Sequence, residues 1–160
     1  MIRLVHSGDA PVIAAIYNYY VENTVITFEE ARVDTEEMEA RISNLSGQYP
    51  WLVYEQAGTI IGYAYASPWK VRSAYRYAVE TSVYLAQDCT GNGVGTKIYS
   101  ELLHRIKQTD LHIAIGGIAL PNAASIALHE KLGFEKIGHF KQVGFKFEQW
   151  IDVGYWQLLL

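Results

Sequence analysis

Gly91, Gly93 and Gly95 alternate with Asn92 and Val94 in the middle of the chain. An apolar run, Val83-Tyr84-Leu85, precedes them, and a helical pattern at Ile98, Leu102 and Ile106 follows. Strand, glycine loop and helix in that order imply a chemistry. Glycines let backbone N–H groups come close to a ligand, and the helix N-terminus adds unpaired donors and the positive end of its dipole. The arrangement suits a phosphate or pyrophosphate; a glycine turn that only reverses the chain is the alternative. Spacing narrows the choice of phosphate ligand. A P-loop needs G-x-x-x-x-G-K-[ST], but here Gly91 is followed by Thr96-Lys97 in the wrong order and spacing. A dinucleotide fingerprint needs G-x-G-x-x-G, and Gly91 to Gly95 reads G-x-G-x-G. The lone Cys89 excludes an internal disulfide framework and a four-Cys zinc site, and no metal is expected.

The elements that must hold this loop follow from periodicity. Ile2 to Val5 is a short apolar run for a first strand. Asp9 is placed to cap a helix whose first turn takes Pro11, with Ile13, Ile16, Tyr17 and Tyr20 on one face. A second helix is expected from about Thr35, with Met38, Ile42 and Leu45 sharing a face. Trp51 to Glu55 and Thr59 to Tyr65 flank Gly58 as a hairpin. Ser67 to Tyr75 reads as a loop and Tyr77 to Leu85 as a fourth strand. After the glycine loop and its helix, Leu111 to Ile118 is an apolar strand. Pro121-Asn122 opens another helix, which Gly133 stops. Phe134 to Phe140 and Phe145 to Leu160 are β-rich. The order is β-α-α-β-β-β-α-β-α-β-β, an α/β fold with a mixed sheet and helices on its faces.

Composition bounds the class. With 160 residues, half of them apolar, one domain spanning 1–160 and a substantial core are expected. The 13 Lys+Arg against 17 Asp+Glu leave a net charge of −4, the wrong sign for a nucleic-acid grip. No run approaches the ~20 apolar residues that cross a membrane. The N-terminus has no secretory pattern, so a cytoplasmic protein is expected.

The element order and the glycine loop together resemble the GNAT N-acetyltransferase superfamily. Its signature, Gln/Arg-x-x-Gly-x-Gly/Ala, is met by Thr90-Gly91-Asn92-Gly93-Val94-Gly95, except that Thr90 stands where the family has Gln or Arg. A second block, Asn122 to Phe134, resembles the family's Asn-x-x-Ala/Ser … Tyr … Gly-Phe segment. Tyr49 to Val53, Tyr63 to Tyr75, Val79 to Tyr84 and Asp152 to Gln157 are similar to the phosphinothricin and methionine sulfone/sulfoximine acetyltransferase subfamily. The resemblance implies the acyl-CoA N-acyltransferase fold, a mostly antiparallel twisted sheet with about four helices. It further implies acetyl-CoA as donor, a small amino-acid-like acceptor and, with the aromatic-rich tail from Trp150 to Trp156, a homodimer.

Roles follow residue by residue from that resemblance. Moving an acetyl group from a thioester to an amine needs a base near the amine. Glu80 stands where the subfamily's base is expected; a surface strand carboxylate is the alternative. Strict alternation puts Glu80 on the face opposite Val83 and Leu85, so a bulge in this strand is expected to let them serve one site. The backbone near Val83 would stabilise the oxyanion, and Val83 and Leu85 would pair with pantetheine like an added strand. Gly91, Asn92, Gly93, Val94, Gly95 and Thr96 would hold the pyrophosphate, while Asn122 and Ser125 flank the pantetheine. His129 would protonate the leaving thiolate, or else pack as a helix histidine against the sheet. Arg72 is suited to a bidentate grip on an anionic head, with Lys70 assisting; a solvated loop charge is the alternative. Phe28, Glu29, Trp69 and Tyr75 would wall the acceptor site. Two competing readings stay open: a non-catalytic acyl-CoA sensor on the same fold, and an acetyltransferase for protein N-termini or ribosomal proteins.

Overall fold

The computed structural model describes all 160 residues. Strand β1 (Ile2–Leu4) leads through a short turn into helix α1 (Ala10–Asn23). Asp9 sits at the N-cap position but does not cap. Its carboxylate accepts both Arg3 guanidinium nitrogens at 2.8 and 2.9 Å and the His6 N–H at 2.9 Å. Helix α2 (Thr35–Leu45) is capped by Asp34, whose side chain accepts from the Glu37 N–H at 2.8 Å. It buries Met38 and Ile42 against α1.

Strands β2 (Trp51–Gln56) and β3 (Thr59–Pro68) form the expected hairpin. Ala57 and Gly58 turn it with φ of 50° and 78°, which suits the twist of a two-residue loop. After an exposed loop comes β4 (Ala78–Leu85), then the glycine loop and helix α3 (Val94–Ile106). Strand β5 (Ile113–Leu120), helix α4 (Ala123–Lys131) and the hairpin β6 (Glu135–Lys146) and β7 (Gln149–Leu159) complete the chain. The last hairpin differs from the sequence expectation. Lys141 to Gly144 looked like a break between strands; it is a register shift within β6. The true turn is Phe147-Glu148, at φ of 51° and 59°, with no glycine or asparagine to mark it.

The seven strands form one sheet in the order β1-β2-β3-β4-β5-β7-β6. Only the β4–β5 pair is parallel. Helices α1 and α2 cover one face over Trp51, Val53 and Tyr63. Helix α3 covers the other, burying Ile98, Tyr99, Leu102 and Ile106 completely. Each such side chain contributes about 1.5–3 kcal/mol of transfer free energy. That anchoring fixes where the glycine loop starts the helix.

Candidate active site

The parallel pair β4–β5 holds for only three residue pairs, Ala78↔Ile113 to Glu80↔Ile115. Beyond Glu80 the two strands part. On its other side β4 stays paired with β3 without interruption from Val79 to Leu85. The bulge expected in β4 is therefore absent, and another feature reconciles Glu80 with Val83. Pro68 has no N–H and stands opposite Val79, a non-bonded position; the Ala86 N–H bonds the Ile61 carbonyl at 2.9 Å. Alternation between these two points aims the backbone groups of Thr81, Val83 and Leu85 away from β3 and into the parting. The Glu80 side chain leaves the sheet through its face while the Val83 amide leaves through its edge, so a regular strand presents both. The Leu85 groups are already met: Tyr20 of α1 donates its hydroxyl to the Leu85 carbonyl at 2.6 Å and accepts from its N–H at 3.4 Å.

Gly91 and Gly93 adopt φ of 80° and 76°, where a β-carbon would be strained. Nothing lies within 4 Å of where either β-carbon would stand. Gly93 is the N-cap of α3 and offers no side chain, and the first intrahelical bond is Lys97 N–H to the Gly93 carbonyl. The N–H groups of Val94, Gly95 and Thr96 therefore point out of the helix end, with no acidic side chain in that turn. Thr90 turns its hydroxyl back onto the Gln87 carbonyl at 3.2 Å.

Between the parted strands, on the α3 side, lies a chain of polar side chains. Thr81 faces the Tyr99 hydroxyl at 2.6 Å and reaches the carbonyl of Ile115, the last β5 residue paired with β4, at 3.3 Å. Tyr99 in turn meets His129 Nε2 at 2.9 Å, and His129 Nδ1 lies 2.8 Å from the Ser125 carbonyl. A carbonyl only accepts, so Nδ1 carries the proton and Nε2 accepts from Tyr99. Burial pushes the His129 pKa down, against the pull of the Ser125 carbonyl, and the ring is neutral. Gly116 makes the room, because a β-carbon there would overlap the imidazole. Asn122 caps α4, its side chain accepting from the Ser125 N–H at 3.1 Å.

On the opposite face is a cavity of about 400 Å³. Its floor is Ser67, Tyr65, Glu80, Ser82, Tyr84, Gly117 and Ala119; its walls are Ile26, Thr27, Phe28, Val143, Val153 and Tyr155. Burial raises the Glu80 carboxyl above its ordinary pKa, and the charge of Lys70 partly opposes this. A β-carbon on Gly117 would stand 3.3 Å from the Glu80 carboxylate and 3.1 Å from the Tyr155 ring. The tandem glycines of β5 thus clear space on both faces at the level of the parting, Gly116 for His129 and Gly117 for Glu80.

A backbone edge, a helix end rich in free donors and a half-buried carboxylate on a concave face together fit transfer between a phosphate-bearing donor and a proton-bearing acceptor. The acetyltransferase (GNAT) domain profile matches residues 2–154. The chain belongs to the GNAT acetyltransferase family. It is an acetyl-CoA-dependent N-acetyltransferase close to the phosphinothricin and methionine sulfoximine acetyltransferases. A phosphinothricin N-acetyltransferase of Alcaligenes faecalis is 41% identical over 153 residues, covering 94% of this chain and 78% of that one. An L-methionine sulfoximine/L-methionine sulfone acetyltransferase of Pseudomonas aeruginosa is 40% identical over 155 residues, 96% and 90% of the two chains. Among solved structures, a phosphinothricin acetyltransferase of Sinorhizobium meliloti in complex with acetyl-CoA superposes with a TM-score of 0.97 at 39% identity, covering 100% and 88%. A ribosomal-protein-alanine N-acetyltransferase of Brucella melitensis gives 0.98 at 39%, covering 100% and 99%.

In this acetyltransferase the structure brings some of the expected residues together and separates others. Glu80 and Phe28 share the cavity, while Val83 and the glycine loop lie toward the parting. Glu29 turns away: its carboxylate accepts from Arg41 at 2.6 and 2.9 Å and from the Tyr17 hydroxyl. Trp69 packs edge-on behind Tyr155 and is not a wall. Arg72 and Tyr75 lie on the exposed loop after β3, outside the cavity lining. His129, weighed between two roles, has both ring nitrogens engaged inside the fold, with Tyr99 and with the Ser125 carbonyl. Sequence reasoning missed Tyr99, Thr81, Tyr20 and the Gly116-Gly117 pair. The last left a signal, because two glycines inside a strand mark close approach by something else.

Proposed function

We propose that this acetyltransferase moves the acetyl group of acetyl-CoA directly to the amino group of a small acceptor of the phosphinothricin, methionine sulfoximine or methionine sulfone class, with Glu80 as general base. The observation that carries the reading is the half-buried Glu80 carboxylate on the cavity floor, at the level where β4 and β5 part. An ammonium group in the cavity cannot attack a thioester until it loses a proton. Glu80, with its pKa raised by burial, is a better match to that proton than an exposed carboxylate. The Val83 N–H in the parting is placed to stabilise the developing oxyanion, and the donors of Val94, Gly95 and Thr96 to take the pyrophosphate. Asn92, Asn122 and Ser125 flank the same groove. His129 serves this reading by holding the parting, not by protonating the thiolate. The charge of Lys70 is felt at Glu80, and Lys70 and Arg72, with Tyr75, would meet an anionic acceptor head from the exposed loop after β3.

The acceptor class rests on the names of the relatives. A homodimer is supported by β6, an edge strand with Phe140, Phe145 and the neighbouring Phe147 and Trp150 at least half exposed. The free thiol of Cys89 is compatible with the cytoplasm. The Brucella relative's name favours a second reading, acetylation of a ribosomal-protein N-terminus. One experiment separates them: acetyl-CoA with methionine sulfoximine, methionine sulfone, phosphinothricin, common amino acids and an alanine-starting peptide, followed by mass spectrometry. Acetylation of the small acceptors at high kcat/KM is expected. Acetylation of the peptide alone would overturn the proposed acceptor class, and no transfer to any amine would favour a sensor.

A further inference from the structure

Lys146 has no place in the chemistry above, yet it is only 1% exposed. It lies on β6, and its Nζ donates to the Thr27 carbonyl at 2.8 Å, a contact between positions 119 residues apart. Its ammonium also stands 5.0 Å from the Phe147 ring centroid. A buried cation gives up its hydration for one carbonyl, a ring and the charges of Glu30 and Glu29, so its position calls for a reason. Two residues earlier on the same strand, Gly144 faces the same segment. A β-carbon there would overlap the Phe28 ring. Residues 24–33 are therefore gripped at adjacent points, the Thr27 carbonyl by Lys146 and the Phe28 ring by the bare backbone of Gly144. The opposite side of this segment is tied to α1 and α2. The Thr27 hydroxyl meets Tyr17 at 2.7 Å, and Glu29 is held by Arg41.

Ile26, Thr27 and Phe28 are cavity walls; Lys146 and Gly144 touch the walls but not the cavity. We infer that Lys146 and Gly144 are positioning residues for the acceptor, a clasp from the C-terminal hairpin that sets where Phe28 stands over Glu80. The inference rests on the acceptor site proposed above. It implies that β6 tunes acceptor affinity without touching acceptor or donor.

Lys146→Met keeps the length of the side chain and removes its donor. With methionine sulfoximine as the probe, its KM is expected to rise at least tenfold. The acetyl-CoA KM should stay within twofold and kcat within threefold. Hydrogen–deuterium exchange should speed up in residues 24–33 and not in α3 or β5. Gly144→Ala displaces Phe28 with Lys146 intact and should give the same KM split, so the inference is tested even if Lys146→Met fails to fold. An unchanged acceptor KM in a folded variant, or a parallel rise in both KM values, overturns it. Should the wild type not acetylate methionine sulfoximine, the proposed acceptor fails instead, and the clasp is judged by exchange alone. Exchange in 24–33 equal to wild type then overturns the clasp.

Discussion

The two faces of the parted sheet are built by different means. The donor side is backbone: the free edge of β4 at Val83, the left-handed Gly91 and Gly93, and the unpaired N–H groups that open α3. Side chains there, Thr81, Tyr99 and His129, form a hydrogen-bonded chain across the opening. The acceptor side is the reverse. Its cavity is lined from five segments, the stretch after α1 together with β3, β4, β5 and the β6–β7 hairpin, and its one carboxylate is Glu80. Backbone cradles for a pyrophosphate tolerate much sequence change, provided the glycines keep their conformations. A side-chain cavity changes its preference with any one wall. On the proposed function, the donor is thus set by local geometry and the acceptor by long-range packing.

Mutations should break that contrast in graded fashion. The largest effect is expected at Glu80. Glu80→Gln keeps the shape and removes the proton acceptor, so kcat should fall on the order of 10²-fold, about 2.7 kcal/mol, while acetyl-CoA affinity is retained. Its pKa is raised, so it works as a base only above that raised value. The acid limb of the wild-type kcat/KM profile should therefore lie above the ordinary carboxylate value of about 4.3, and Glu80→Gln should lack it. A wild-type kcat in the variant, with chemistry rate-limiting, removes Glu80 from the base role. Next is the donor cradle. Gly93→Val places a branched side chain at φ 76° in the open space before α3, and calorimetry should show acetyl-CoA binding at least tenfold weaker, about 1.4 kcal/mol. The acceptor KM should not follow; a matching shift there would erase the division between the faces.

Tyr99→Phe sharpens the comparison on the donor side. It leaves His129 Nε2 buried without its donor, at a cost of about 1–3 kcal/mol in chemical denaturation. The acetyl-CoA KM should rise severalfold with the acceptor KM unchanged. If the acceptor KM moves instead, the polar wedge serves the cavity and not the parting. The smallest effect is expected at Arg72. An exposed loop cation contributes about 1 kcal/mol or less, so Arg72→Ala should raise the acceptor KM only about fivefold. A rise of a hundredfold would mean that the loop closes over the acceptor.

Legibility in the sequence followed the same division. Thr90 to Thr96 and Asn122 to Phe134 are contiguous, and both the loop and the capped α4 stand where spacing put them. Glu80 was assigned from the family resemblance, and simple alternation set it on the face opposite Val83 and Leu85. Its reconciliation with Val83 was not legible. The expected bulge does not exist, and the partial pairing of β4 with β5 is invisible without knowing which strands are neighbours. Glu29 was assigned to the acceptor site from the family resemblance, and Trp69 as a residue that could line it. Arg41 on α2 and Tyr155 on β7 draw them elsewhere, and neither partner is near in sequence. The turn at Phe147-Glu148 lacked turn residues, so β6 was cut short, hiding both Gly144 and Lys146.

By itself, then, the sequence determined the element order, the place of the glycine loop before a helix and the strand that carries Glu80, because hydrophobic period, glycine spacing and helix ends act over a few residues. Only the tertiary structure decided that His129 is a neutral acceptor of Tyr99, that β4 opens after Glu80, and that a lysine on β6 reaches a carbonyl before α2. Each of these depends on desolvation or contact between groups dozens of residues apart, and such energies come into being only when the sheet closes around them.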